Sequence, residues 1–151
     1  MAKFIYRMQS ILDIKVKMEE QARMEFATAR MRLDEEEEKL NGLTARKAEY
    51  EDEGRRLRRD ALKVLEIQEN RQAILSMDEL ILIQKDAVLR AERLLEEKRL
   101  ILQTAMQESK THEKLKERAF EDFIKDLYAQ EAKEIDELTS YTYGQKKTAD
   151  V

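Results

Sequence analysis

His112 is the chain's one histidine, and the chain has no cysteine. A metal site would need further imidazole or thiolate ligands, so His112 is read as a seam or surface residue and no metal or cofactor is expected. The remaining reactive groups are charged side chains. Asp34 to Glu38 form an acidic run, with Glu35 and Lys39 spaced as a favourable i,i+4 pair. Carboxylates on an exposed helix have no cause for perturbed acidity, so general acid–base work is unsupported. Arg55, Arg56, Arg58 and Arg59 could hold phosphates, but no aromatic residue is interleaved with them. They read better as a solvated hairpin tip than as a nucleic-acid site. No glycine-rich phosphate loop and no Ser-His-Asp order with a plausible pocket is present. The chemistry therefore points to a non-enzyme that touches other proteins.

What positions these side chains is a helical repeat. Positions 22, 26, 29, 33, 36, 40, 43, 47 and 50 alternate steps of four and three, and seven of the nine are apolar: Ala22, Phe26, Ala29, Leu33, Leu40, Leu43 and Tyr50. Almost everything between them is charged. A 3.5-residue repeat places one narrow apolar stripe on a helix, the seam of a coiled coil. The 151 residues include 41% charged residues, three glycines and no proline. That is the composition of long helices, and 42% hydrophobic residues at regular spacing argue against disorder. A core only a few side chains wide leaves no room for a deep pocket. The net charge of −4 is too small to name a partner.

Residues 4 to 20 carry a wider stripe. Phe4, Met8, Ile11 and Met18 make one seam and Ile5, Met8 and Leu12 an adjacent one, so this end can face two neighbours. Gly42 does not interrupt the rhythm, whereas Gly54 occupies a seam slot and is followed by the arginines. The reversal is placed within Glu53 to Val64. The expected organisation is a single coiled-coil domain, 1–151, all-α, an antiparallel two-helix coiled coil. Its first helix covers about 3–53, its turn about 54–63, its second helix about 64–140, and a frayed polar tail 141–151.

In the second helix the four-three rhythm runs 73, 77, 80, 84, 87, 91, 94, 98, 101, 105, 108, 112, 115 and 119, ten of the fourteen being apolar. Beside it lies a second line, Ile81, Val88, Leu95 and Leu102. This extra stripe is either a wider hairpin interface or a docking surface. Reversal near residue 58 sets Phe4 against the region of His112. The second helix then overhangs with Phe120, Phe123, Ile124, Leu127, Ile135 and Leu138 uncovered by their own chain. An amphipathic helix left uncovered usually awaits a partner. The start lacks an uninterrupted apolar core and a small-residue cleavage site, so no signal peptide is expected. Nothing approaches the ~20 apolar residues of a membrane span.

Three stretches together resemble the FliJ family of flagellar type III export proteins. Phe4, Tyr6-Arg7, Ile11-Leu12, Ile14-Lys15 and Glu20-Gln21-Ala22 are similar to its opening. Glu113 to Arg118 with Phe120-Glu121 and Phe123 resembles its C-terminal basic-aromatic segment. Glu131, Lys133-Glu134 and Asp136-Glu137-Leu138 resemble its ending. The resemblance implies a helical hairpin like the central stalk subunit of rotary ATPases. It also implies a cytoplasmic protein, peripheral to the membrane-embedded export apparatus and without membrane insertion. Its implied partners are the hexameric flagellar export ATPase, whose ring it helps assemble, the export-gate protein FlhA and export chaperones. Carried over by position, ATPase binding falls on Phe4, Arg7, Met8, Ile11, Lys15, Lys116, Phe120, Phe123 and Leu127. Gate binding falls on Leu43, Tyr50, Ile74 and Ile81. The chain departs from the family's aromatic preference at Arg46, Arg71 and Asp78.

Other readings are a related stalk protein of a virulence type III secretion system and a purely structural parallel coiled-coil dimer. In the dimer, Lys15, Glu36, Lys47, Lys98 and Glu108 would set the register. A nucleic-acid binder acting through Arg55 to Arg59 is disfavoured by the acidic net charge.

Overall fold

The computed structural model describes residues 2–60 and 63–149. It contains two helices, α1 (Gln9–Arg59, 51 residues) and α2 (Val64–Ala149, 86 residues). No strand occurs among the described residues, and the fold is the expected all-α antiparallel two-helix coiled coil. Contacts divide it into two compact units, 20–104 and 1–19 with 105–151.

In the 20–104 unit, every one of the nine expected seam positions from Ala22 to Tyr50 is buried or half-buried, and the rhythm continues into Gly54 and Leu57. Of the nine expected α2 seam positions from Ala73 to Ile101, six are buried or half-buried and three are not. The covered line of α2 is Asn70, Ile74, Met77, Ile81, Gln84, Val88, Ala91, Leu95, Lys98 and Leu102, again in steps of four and three. It keeps Met77, Gln84, Ala91 and Lys98 of the expected seam and takes Ile81, Val88, Leu95 and Leu102 from the second stripe. Leu80, Leu94 and Ile101 lie on the flank, 44%, 36% and 49% exposed. The cause is local: Leu80-Ile81, Ala87-Val88, Leu94-Leu95 and Ile101-Leu102 are adjacent apolar pairs, and either member satisfies the 3.5-residue period.

Polar seam residues find partners across the interface. Lys98 Nζ donates to Glu25 Oε2 (3.1 Å), Gln84 Nε2 to the Glu36 carbonyl oxygen (2.9 Å) and carboxylate, and Lys47 Nζ lies 2.6 Å from Asp78 Oδ1. Asn70, 8% exposed, donates through Nδ2 to the Tyr50 carbonyl at 2.8 Å.

Gly54 is not the start of the turn. It is helical and buried, and α1 continues to Arg59, past the expected helix end at 53, so the reversal falls after residue 59, in the later part of the expected 54–63 turn; Ala61 and Leu62, within that turn, lie outside the described residues. A Cβ at Gly54 would collide with Asn70 Oδ1 and lie 3.3 Å from Cγ, so glycine here admits the asparagine into the seam. Gly42 has nothing within 4 Å of such a Cβ. Gly42→Ala is therefore expected to stabilise by about 1 kcal/mol through helix propensity. Gly54→Ala is expected to destabilise despite the same propensity gain, with the loss relieved when Asn70→Ala is added. Urea unfolding of the three variants checks this, and equal stabilisation by both alanines would refute the account of Gly54.

The cross-helix pairs also carry a pH dependence. The hydrogen bond from Gln21, then the Lys98 ammonium, hold the Glu25 carboxyl below its ordinary 4.5, and the Gln84 amide does the same for Glu36. Both contribute stability that is present above that ordinary value and lost as pH falls through their lower folded values. Asp78 raises Lys47 above its ordinary 10.5, a contribution complete below that value and lost at more alkaline pH. Tm followed by circular dichroism is expected to be flat through neutrality and to fall on both limbs. Glu36→Gln should shallow the acid limb; an unchanged limb would remove Glu36 from it.

Candidate docking surface at the terminal end

The second unit begins with a short arm. Residues 2–6 are not helical, 7 and 8 form a turn, and Gln9 N–H donates to the Tyr6 carbonyl at 3.2 Å. The first helix thus starts at Gln9, not at residue 3. Such an arm advances about 3.3 Å per residue against 1.5 Å for a helix, so it reaches further along α2. Phe4 lands on Phe120, edge to face at a centroid distance of 5.3 Å, and on Phe123 at 5.5 Å. Further in, Lys15 Nζ donates to Glu108 Oε2 at 2.9 Å. With reversal after Arg59, facing positions sum to about 123 (Lys15 with Glu108, Glu25 with Lys98), not 116. Phe4 therefore meets Phe120, not His112, and the expectation that Phe120 and Phe123 lie beyond cover is corrected.

Of the expected N-terminal seams, Phe4 and Leu12 are covered, whereas Met8 is 39% exposed. The covered line is Leu12, Lys15, Val16 and Glu19, with Leu12 only 6% exposed, whereas Ile5, Ile11 and Met18 are 78%, 40% and 50% exposed. It is the Ala22-to-Tyr50 rhythm continued backwards, its polar slots concealing it from a search for apolar residues. Facing it are Ala105, Ser109, His112, Lys116, Ala119 and Phe123, all buried or half-buried. Ala105 and Ser109 are small and only 9% and 2% exposed.

The sequence-derived ATPase set is all in this unit. Phe4, Phe120 and Phe123 meet as one aromatic cluster. Phe4, Phe120 and Lys116 line a groove together with Leu12, Glu113 and Glu117, three residues the sequence reading did not assign. Arg7, Met8 and Ile11 are exposed, Leu127 is half-buried, and Lys15 is committed to Glu108. Of the gate-binding set, Leu43, Tyr50, Ile74 and Ile81 all lie half-buried on the 20–104 seam. The exposed large apolar residues nearest Ile74 and Ile81 in sequence are Leu75, Leu80, Leu82 and Ile83.

Beyond Phe123 the intramolecular rhythm would pass to Asp126, Gln130, Lys133 and Glu137, all polar. The apolar stripe instead steps sideways onto Phe120, Ile124, Leu127, Tyr128, Ile135 and Leu138. Every residue from Tyr128 to Ala149 is exposed, with Tyr128, Ile135 and Leu138 at 65%, 62% and 66%. Ile135, Leu138, Thr139, Thr142, Tyr143 and Lys146 line a shallow apolar depression. The helix persists to Ala149 where a frayed tail is expected; no proline interrupts it, and Lys146 and Lys147 in its last turn complement the C-terminal end of the helix dipole. No helix among the described residues is long and apolar enough to cross a membrane.

A sequence model of the family described as flagellar FliJ protein matches residues 4–148. The chain belongs to the FliJ family. FliJ membership makes it a component related to type III protein export. The fold is also similar to CT670 from Chlamydia trachomatis, described as a candidate YscO homologue. The TM-score is 0.73 at 21% identity, covering 97% of this chain and 99% of that one. No curated protein matches.

Proposed function

We propose that this FliJ-family chain is the stalk-like subunit of a flagellar export ATPase. It binds the hexameric ring through its terminal end, promotes ring assembly and couples the ring to the export gate. The observation that carries the reading is the apolar stripe from Phe120 to Leu138, off-phase from the chain's own seam and bare beyond Leu127. A helix face out of register with its intramolecular partner is suited to a different neighbour. Arg7, Met8 and Ile11, exposed on the adjoining arm and first helical turn, would broaden the contact. The role is non-catalytic. Contacts to FlhA near Leu43, Tyr50, Ile74 and Ile81, and to export chaperones, are secondary parts of the proposal. The family match favours the flagellar system over a virulence one, and the neighbouring genes would separate them.

Co-elution with the purified export ATPase on size exclusion tests the reading. The expected result is a complex containing one copy of this chain per hexamer, with ATP turnover rising as rings assemble. Failure to co-elute at micromolar concentrations would overturn it.

A further inference from the structure

We infer that residues 2–6 are a displaceable latch over the root of the terminal stripe, so that Phe4 and a docking partner compete for Phe120 and Phe123. The partner's identity rests on the ATPase reading; the opening of the latch does not. Two rings hold the arm. Phe4 and Tyr6 are half-buried, whereas Ala2, Lys3, Ile5, Arg7 and Met8 are exposed. Among the described residues no hydrogen bond or ion pair joins residues 2–8 to α2. The arm's backbone bonds are local, from Gln9 N–H to the Tyr6 carbonyl and from Leu12 N–H to the Met8 carbonyl.

Closing the arm orders a non-helical run at an entropic cost per residue, which the packing of Phe4 offsets. Closure also buries the Tyr6 hydroxyl with no hydrogen-bond partner, a loss that water makes good when the arm lifts. The arm thus opens about the turn at residues 7 and 8 with both helices intact. Lifting it bares Phe120, the first residue of the off-phase stripe, together with Phe123. Phe120 is 47% exposed even under Phe4, so a helix lying along Ile124 to Leu138 meets its edge before the arm has moved. A face free for only a fraction of the time binds with affinity reduced by that fraction. The latch therefore sets how tightly the terminal end is taken up without adding a contact of its own.

The chain's four phenylalanines, at 4, 26, 120 and 123, make fluorine NMR of the fluorophenylalanine-labelled full chain a direct readout. Exchange with a minor state is expected for Phe4, Phe120 and Phe123 and not for Phe26, which lies on the 20–104 seam. Tyr6→Phe keeps the ring and removes the orphaned hydroxyl, so it should lower the minor population about tenfold. Phe4→Ala should move the Phe120 and Phe123 resonances to their minor-state positions, with helicity by circular dichroism unchanged. Against the purified ATPase, Phe4→Ala should then bind more tightly than the unmodified chain and Tyr6→Phe less tightly, in proportion to their open fractions. No exchange in the free chain, an unchanged minor population in Tyr6→Phe, or weaker ATPase binding by Phe4→Ala would each overturn the latch. A chain that opens as described yet binds no ATPase in any of the three forms would instead overturn the ATPase reading.

Discussion

Ile135→Asp combined with Leu138→Asp is expected to weaken binding to the export ATPase by at least about a hundredfold while leaving Tm and helicity unchanged. The two side chains are 62% and 66% exposed and touch no other helix of the chain, so their replacement costs the isolated fold little. If both become buried in the complex, each contributes about 1.5–3 kcal/mol, and the aspartates add desolvation cost. A pair of central apolar anchors is the usual source of such losses. Phe120 and Phe123 are less informative targets, because both also hold Phe4 and their loss would release the N-terminal arm. Titration calorimetry against the purified ATPase reads the result. Affinity within a fewfold of the unmodified chain would show that the stripe is not the contact.

Leu12→Ala should cost about 2–4 kcal/mol, concentrated in the terminal unit. Leu12 is 6% exposed and is the large aliphatic anchor of the first turns of α1, its neighbouring seam slots being Lys15, Val16 and Glu19. It lines the groove shared with Phe4 and Phe120, so its truncation leaves a cavity under the aromatic cluster. Hydrogen exchange should show protection lost from residues 9–19 and 105–123 while the seam around Ala29 and Ala91 stays protected. Uniform loss along both helices would mean that the two units do not open separately.

The sequence made some of this plain and hid the rest for identifiable reasons. The Ala22-to-Tyr50 seam was readable because charged residues isolate a single stripe. The α2 seam was ambiguous because Leu80-Ile81 and its successors give two stripes one residue apart, and only the partner helix chooses between them. Gly54 resembled a helix stop, since a sequence does not show that Asn70 occupies the space a side chain would fill. The reversal after Arg59, late in the expected range, shifts every facing pair. The non-helical run at residues 2–6 was hidden too, for its reach comes from backbone extension rather than residue pattern. The terminal stripe was legible in composition, but its boundary was not, because Phe4 covers part of it.

The ladder of cross-helix pairs also bears on how two copies could associate. In a parallel, in-register pair of chains each seam residue would meet its own counterpart: Lys15 on Lys15, Glu25 on Glu25, Glu36 on Glu36, Lys47 on Lys47. Each such layer trades an attraction for a repulsion. The same rungs are kept if two chains exchange arms head to tail. The ladder thus disfavours the parallel dimer and is indifferent to the exchanged one.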